Sequence, residues 1–243
     1  MNLLKRFTKG KRYAIFLDFE GTQFSHEIIA IGAIKCRLDE NGFIEFDKEL
    51  SEYKSYVKPI GPIGKIVKEL THIDEAILKE NGKTLEEMFS SFEKFISVPF
   101  DECIFFVFGS NDAKMISDSI MYSRPSNYYI GNNIIKNIMD FLMFISQFVK
   151  DEKGNNYSLT SYLTLFGGEL HGIPHDPLND AYDLMNLYHL FCTKEEIRIK
   201  EYIKVLSKQK TFPAPIKNII NKLINEECVS YLDFINEIKS YLE

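Results

Sequence analysis

Two acids spaced two residues apart, Asp18 and Glu20, close the apolar run Tyr13-Ala14-Ile15-Phe16-Leu17. In a strand successive side chains alternate between faces, so both carboxylates project on one side. Two anions held that close repel one another and resist burial. A divalent cation resolves the conflict, because hard oxygen ligands suit Mg²⁺ and Mn²⁺. The other reading is a strand that has simply ended, with both acids solvated in a turn. Three more groups lie where elements change: Asp112 follows an apolar run over 103–108 and Gly109, and His175 and Asp180 flank the dipeptide Asp176-Pro177. Each has an ordinary explanation alone. An acid in a first helical turn suits the helix dipole, and His175 fits a surface loop. Their combination matters, since element ends at one edge of a sheet are where sites are built.

The elements that must position these groups follow from periodicity and punctuation. Residues 27–38 form a continuous apolar run, as a buried strand requires. After the turn signal Asp39-Glu40-Asn41-Gly42, residues 43–57 return as a third strand, giving an antiparallel meander with the first. Pro59-Ile60-Gly61-Pro62 ends it. Ile66, Val67 and Leu70 suggest a short helix, and Thr71 or Asp74 can cap the next turn. Thr84 with Glu87 is a capping box before a helix whose apolar face holds Leu85, Met88, Phe89, Phe92, Phe95 and Ile96.

The buried strand 103–108 gives way to a helix capped by Ser110 or Asn111 near Asp112. Residues 128–138, rich in Tyr, Asn and Ile, read as another short strand. Asp140 opens a helix over 141–149, and a helix over 159–166 stops at Gly167-Gly168. Asp176 at the N-cap with Pro177 next is a strong start for a helix reaching about Cys192. From Lys194 onward three helical pieces, broken at 213–215, carry no recognisable chemistry. Strands first, then strand and helix alternating, then helices, describe an α/β domain around a mixed sheet.

Composition excludes several classes. The chain of 243 residues is 45% hydrophobic and 14% aromatic, well outside the disordered range. It lacks an apolar stretch long enough for a membrane span and a hydrophobic signal core, so a soluble, cytoplasmic protein is expected. Cys36, Cys103, Cys192 and Cys228 are scattered without metal-ligand spacing and read as reduced, structural residues. A net charge of −6 argues against gripping duplex nucleic acid over a broad basic face. It leaves room for a cleft that takes a few nucleotides against bound cations. Residues 1–12 are the basic exception, with Lys5, Arg6, Lys9, Lys11 and Arg12. They read as a solvated basic terminus rather than a phosphate-binding arm.

Here the residues carry a resemblance. Asp18-Phe19-Glu20-Gly21-Thr22, Gly109-Ser110-Asn111-Asp112 and His175-Asp176-Pro177-Leu178-Asn179-Asp180-Ala181 resemble, in order, the three motifs of the DEDDh 3′–5′ exonucleases. Glu69-Leu70-Thr71-His72-Ile73 is similar to the family's LTGI segment, with His72 in place of the Gly. Ser158-Leu159-Thr160-Ser161-Tyr162-Leu163 is similar to the helix before the third motif. The first two motifs look closest to the KapD- and Eri1-type branch, although the Trp common before the second-motif Gly is missing. The resemblance spans about 13–191. It implies an RNase H-like mixed β-sheet flanked by helices, an exonuclease domain over 13–193, and a helical C-terminal appendage over 194–243.

The resemblance also implies roles. Two divalent cations, Mg²⁺ or Mn²⁺, about 4 Å apart would serve phosphodiester hydrolysis. Asp18 would bridge them, Glu20 and Asp180 would complete one shell, and Asp112 would hold the other ion. His175 would take the proton from the attacking water, a general-base role common for imidazole. Gly21, Thr22 and Phe24 lie where family members hold the terminal nucleotide, and Phe24 could stack on a base. The expected partner is single-stranded nucleic acid, RNA favoured over DNA. The appendage would meet a protein partner or a second copy. Two alternatives stand beside this: a DNA proofreading or repair nuclease recruited by a partner, and a catalytically silent nucleic-acid-binding module. The third would predict a broken constellation, and all five residues are present.

Overall fold

The computed structural model describes residues 3–48 and 50–242. Residues 1, 2, 49 and 243, which fall within the expected N-terminal segment, third strand and appendage, lie outside the described residues. The elements run α1 (Leu3–Phe7), β1 (Tyr13–Gly21), β2 (Ile28–Arg37), β3 (Leu50–Val57), α2 (Lys65–Thr71), α3 (Glu75–Asn81), β4 (Gly82–Lys83) and α4 (Leu85–Ile96). They continue with β5 (Cys103–Val107), α5 (Asn111–Ser123), α6 (Tyr129–Lys136), β6 (Ile138–Asp140), α7 (Phe141–Ile145), α8 (Leu159–Leu165) and α9 (Pro177–Thr193). Last come α10 (Glu195–Ser207), α11 (Ala214–Ile224) and α12 (Tyr231–Leu242). None of the described helices is long and apolar enough to cross a membrane.

The chain divides into two compact units: Met1–Leu142 with Leu159–Cys192, and Met143–Ser158 with Thr193–Glu243. In the first unit a mixed sheet has the order β4-β3-β2-β1-β5-β6. β1, β2 and β3 form the expected antiparallel meander, and β5 runs parallel to β1. β6 is parallel to β5, and β4 to β3. One sheet edge therefore collects the C-terminal ends of β1, β3, β4, β5 and β6 and the start of β2.

Alternation along β1 divides its side chains between two cores. Ile15, Leu17 and Phe19 pack with Met88, Phe89 and Phe92 of α4 and Ile116 of α5. On the other face Phe16 meets Tyr188 of α9, with ring centroids 5.4 Å apart, and Phe106 meets both. Asp18 and Glu20 share the parity of Phe16, so they fall on the α9 face. These helices follow their sequence signals. Thr84 and Glu87 form the reciprocal capping box of α4, and Asp74, rather than Thr71, caps α3 by accepting from the Ile77 amide.

Three expectations are corrected. Residues 128–138 hold α6, with the strand only beyond it at β6. Ile130 and Ile134 recur at helical spacing and are buried, and Gly131 packs against Phe89 and Ile120. The third strand begins at Leu50, because 43–48 form a turn region with a single bridge between Leu38 and Ile44. The helix after Asp140 ends at Ile145 rather than 149. In the basic N-terminal segment Lys5, Arg6, Lys9 and Arg12 are exposed, as a solvated basic terminus requires, while its apolar residues are anchored. Leu4 and Phe7 of α1 are buried, and Phe7 stacks on Phe106.

Candidate active site

The five candidate residues converge at the edge where β1 and β5 end. Asp18 and Glu20 stand near the end of β1, and a register shift between Glu20 and Gly21 breaks its pairing with β2 there. Asp112, in the first turn of α5, is buried, and its carboxylate accepts from its own amide and from that of Phe19, which ties α5 to β1. Two further contacts fix α5. A Cβ at Gly21 would stand 2.6 Å from Met115 Sδ, so the missing side chain admits the helix. The Ile28 amide donates to Ser119 Oγ at 2.8 Å.

The third component depends on Gly32, the residue paired with Asp18 across β1 and β2. A Cβ there would lie 2.1 Å from the carbonyl carbon and oxygen of Pro177. Only glycine lets the start of α9 come down onto the sheet, and that approach brings Asp180 over the β1 acids. Asp176 holds the helix start by accepting from the Leu178 amide at 3.1 Å and pairing with Lys54 of β3. His175 is left-handed, with φ 64°, and its amide donates to Asp180 Oδ2 at 3.1 Å. Its Nδ1 lies 4.0 Å from Glu20 Oε1. Ligand atoms of Glu20, His175 and Asp180 all fall within 4.8 Å of one another.

Charge at this edge is under-compensated. Burial pushes the Asp18 carboxyl well above the usual range, and Asp112, Glu20, Asp180 and Asp176 push it further. Burial first, then Asp180, Asp112 and Asp176, raises Glu20 to about 8. Asp112 rises to about 7, burial outweighing its two amide bonds, with Asp140 adding to the rise. Asp180 rises to about 6 through burial, against the lowering effect of His175. No hydrogen-bond donor reaches the Asp18 carboxylate among the described residues. Four carboxylates that repel one another, with oxygen donors and one imidazole converging, match the donor set of a hard divalent cation. Such an arrangement suits chemistry assisted by a bound divalent cation.

The three substrate-site candidates are placed differently. Phe24 is 70% exposed. Thr22 is buried, and its hydroxyl serves the turn after β1, meeting Ser25 Oγ at 2.8 Å and accepting from the Glu27 amide at 2.9 Å. Gly21 and Thr22 line a cleft of about 400 Å³ with Glu20, Gln23, Asn111 and Met115. The sequence reading passed over several supporting residues. Asp140 accepts from the Gly109 amide at 3.0 Å and pins the turn before Asp112. Glu27 is a buried carboxylate that accepts from the Ile60 and Gly61 amides at 2.7 and 2.8 Å. Its place between a turn and an apolar run was the available signal. For Gly32 the sequence offered none beyond a glycine inside a strand, a mark of close approach.

Comparison with known proteins bears on family and fold. A family model described as Exonuclease (RNase_T) matches residues 15–188. No curated protein sequence matches. Among solved structures, the fold is shared with the nuclease domain of 3′hExo, a DEDDh family member bound to rAMP: TM-score 0.61, 18% identity, 76% of this chain and 93% of that one. A 3′-exonuclease that recognises the 3′ end of a histone mRNA stem-loop aligns at TM-score 0.60 and 19% identity, over 76% of this chain and 64% of that one. Exonuclease I of E. coli in complex with a dA16 oligonucleotide gives 0.56 and 14%, over 86% and 45%. The chain thus spans less than two thirds of two of these three relatives. With a family model across most of its length, this chain belongs to the exonuclease family.

Proposed function

We propose that the chain is a metal-dependent 3′–5′ exonuclease that removes nucleoside 5′-monophosphates from single-stranded 3′ ends, preferring RNA, in the cytoplasm. The observation that carries this reading is the convergence of Asp18, Glu20, Asp112, Asp180 and His175 at one sheet edge with their carboxylates pushed up together. Asp18, Glu20, Asp112 and Asp180 would hold two divalent cations, Mg²⁺ or Mn²⁺, which when bound neutralise charge on the scissile phosphate and ease deprotonation of water. His175, half exposed beside Glu20, takes the proton from the attacking water and returns it to solvent. The water oxygen bonds to phosphorus, the bond from phosphorus to the 3′ oxygen of the penultimate nucleotide breaks, and that oxygen is protonated as the new 3′ end. Gly21 and Thr22 shape the cleft for the terminal nucleotide, and Phe24 offers its ring to a base.

The domain 13–193 would carry this activity, with 1–12 as its basic lead and 194–243 as a helical appendage that meets a protein partner or a second copy. The RNA preference rests on the KapD- and Eri1-type motif variants. The DNA reading has support from Exonuclease I, solved with a DNA strand. Matched 5′-labelled RNA and DNA single strands, incubated with Mg²⁺, Mn²⁺ or EDTA, test both. The expected result is a cation-dependent ladder shortening from the 3′ end, faster on RNA. Asp180→Ala should slow it by about 10²–10³-fold, the scale of a lost charge-stabilising group, while circular dichroism and melting stay near wild type. An Asp180→Ala protein that unfolds would support a structural role instead, and a folded wild type that cleaves neither strand would overturn the reading.

A further inference from the structure

A cleft of the first unit, about 790 Å³, lies away from the acids and has no part in the chemistry above. It is walled by Lys58, Thr84, Ser90, Ser91 and Lys94, with Pro59 and Ile60 at one side. Lys83 joins it by donating to Ser91 Oγ at 3.3 Å. The two acids on its wall are engaged locally. Glu87 closes the capping box with Thr84, and Glu86 accepts from Ser126 Oγ at 2.6 Å. Lys58 and Lys94 are exposed and make no ion pair among the described residues. In a chain of net charge −6, three lysines against two glutamates, with Lys58 and Lys83 also acting on Glu87, leave the cleft a small positive excess beside three hydroxyls.

Topology places Lys58 and Lys83 at the sheet edge of the acids, while Ser90, Ser91 and Lys94 of α4 line the cleft on the other face of the sheet. Lys58 follows β3 and Lys83 ends β4, both at the sheet edge where β1 presents Asp18 and Glu20. Strands lie about 4.8 Å apart, so β3 is about 10 Å and β4 about 14 Å from β1 along that edge. The stem of Lys58 crosses Gly82 of β4, where a Cβ would meet its Cγ at 2.8 Å. Between acids and lysines stand the turn after β1 and the 59–62 loop, joined by the buried Glu27 through Ser25 Oγ and the Ile60 and Gly61 amides. These two loops present Phe24 and Ile60, 70% and 72% exposed. A path from carboxylates on the α9 face, over exposed apolar side chains at the sheet edge, to lysines and hydroxyls on the α4 face fits a single strand that wraps over that edge.

We propose that the upstream phosphates of a bound single strand lie in the Lys58–Lys83–Lys94 cleft, a few nucleotides from the 3′ end at the acids. The inference rests on the exonuclease reading for the position of that end. The test compares wild type, a Lys58→Ala/Lys94→Ala variant, and a Lys5→Ala/Arg6→Ala variant that removes the same charge at the opposite sheet edge. Binding of a phosphorothioate single strand of about eight nucleotides, inside the ~4–16-nucleotide range of single-strand sites, is read by anisotropy with Ca²⁺ across a salt series. A dinucleotide serves as the short probe, and turnover of both with Mg²⁺ is followed in parallel.

The expected result is about a tenfold loss of affinity for the longer strand in Lys58→Ala/Lys94→Ala. Its salt slope should fall by about 1.4, because each single-strand phosphate contact contributes about 0.7. Dinucleotide binding and turnover should stay within about twofold, and the Lys5→Ala/Arg6→Ala variant should behave as wild type. Unchanged binding of the longer strand, equal loss on both probes, or no binding by wild type would overturn the proposal. Lysine-dependent binding by a wild type that degrades nothing would overturn the exonuclease reading and leave the cleft standing.

Discussion

At the scale of single residues, the acids work against the fold that holds them. Glu20 sits at about 8, Asp112 at about 7 and Asp180 at about 6, all above the values of an unfolded chain near 4. Between those limits the native state binds more protons than the unfolded state, so stability falls as pH rises. In EDTA the melting temperature should therefore decline from about pH 5 to about pH 8. Glu20→Gln, which keeps the shape and removes the charge, should flatten that decline and raise the melting temperature near pH 8, where each kcal/mol corresponds to about 2–4 °C in a chain of this size. Mg²⁺ should raise it as well, since a ligand of the native state stabilises by mass action. A melting temperature indifferent to pH in EDTA would mean that the carboxylates do not repel one another as their packing implies.

Elements position these residues, and here the sequence was legible unevenly. The Asp176-Pro177 start, the Thr84 capping box and the β1–β2–β3 meander were readable because their causes are local: a cap, a fixed φ, a run of apolar residues. The five candidate residues could be picked out because motif order survives without knowledge of distance. Residues 128–138 misled, since Tyr and Ile favour strands on average while α6 is held by a close approach of Gly131 to α4 and α5. Gly32 was invisible for the same reason, its partner Pro177 being distant in the chain. Gly32→Ala puts that to measurement. The new Cβ would meet backbone atoms at 2.1 Å, which cannot swing aside as a side chain would. Overpacking should cost about 1–3 kcal/mol. Turnover should fall by about 10²-fold, the effect of a displacement of about 1 Å at a catalytic group. Wild-type turnover in Gly32→Ala would show that the start of α9 tolerates a shift.

Across the whole molecule, the acids and the C-terminal helices belong to different units, and the boundary does not follow the chain. Residues 143–158, which precede α8, group with 193–243. Within that unit Phe148 meets Tyr202 of α10 with ring centroids 5.3 Å apart. Lys208 donates to the carbonyl oxygens of Asp151 and Glu152 at 3.1 and 2.7 Å. The helices after 193 are therefore the larger part of a unit whose remainder is an insertion within the exonuclease segment. Removing 194–243 should strip Phe148 of Tyr202, leaving it Phe144, and take Lys208 from the carbonyls of Asp151 and Glu152. The shortened chain should bind a hydrophobic dye and melt several degrees lower, at the about 2–4 °C per kcal/mol expected for this size. Cleavage per folded molecule should persist on a dinucleotide, because Asp18, Glu20, Asp112, His175 and Asp180 all lie in the other unit. Lys208→Ala alone should cost no more than about 1 kcal/mol, the usual net worth of such hydrogen bonds. A shortened chain that melts with the full one and binds no dye would show that 143–158 fold without the C-terminal helices, and the boundary expected at 193 would then mark a physical division.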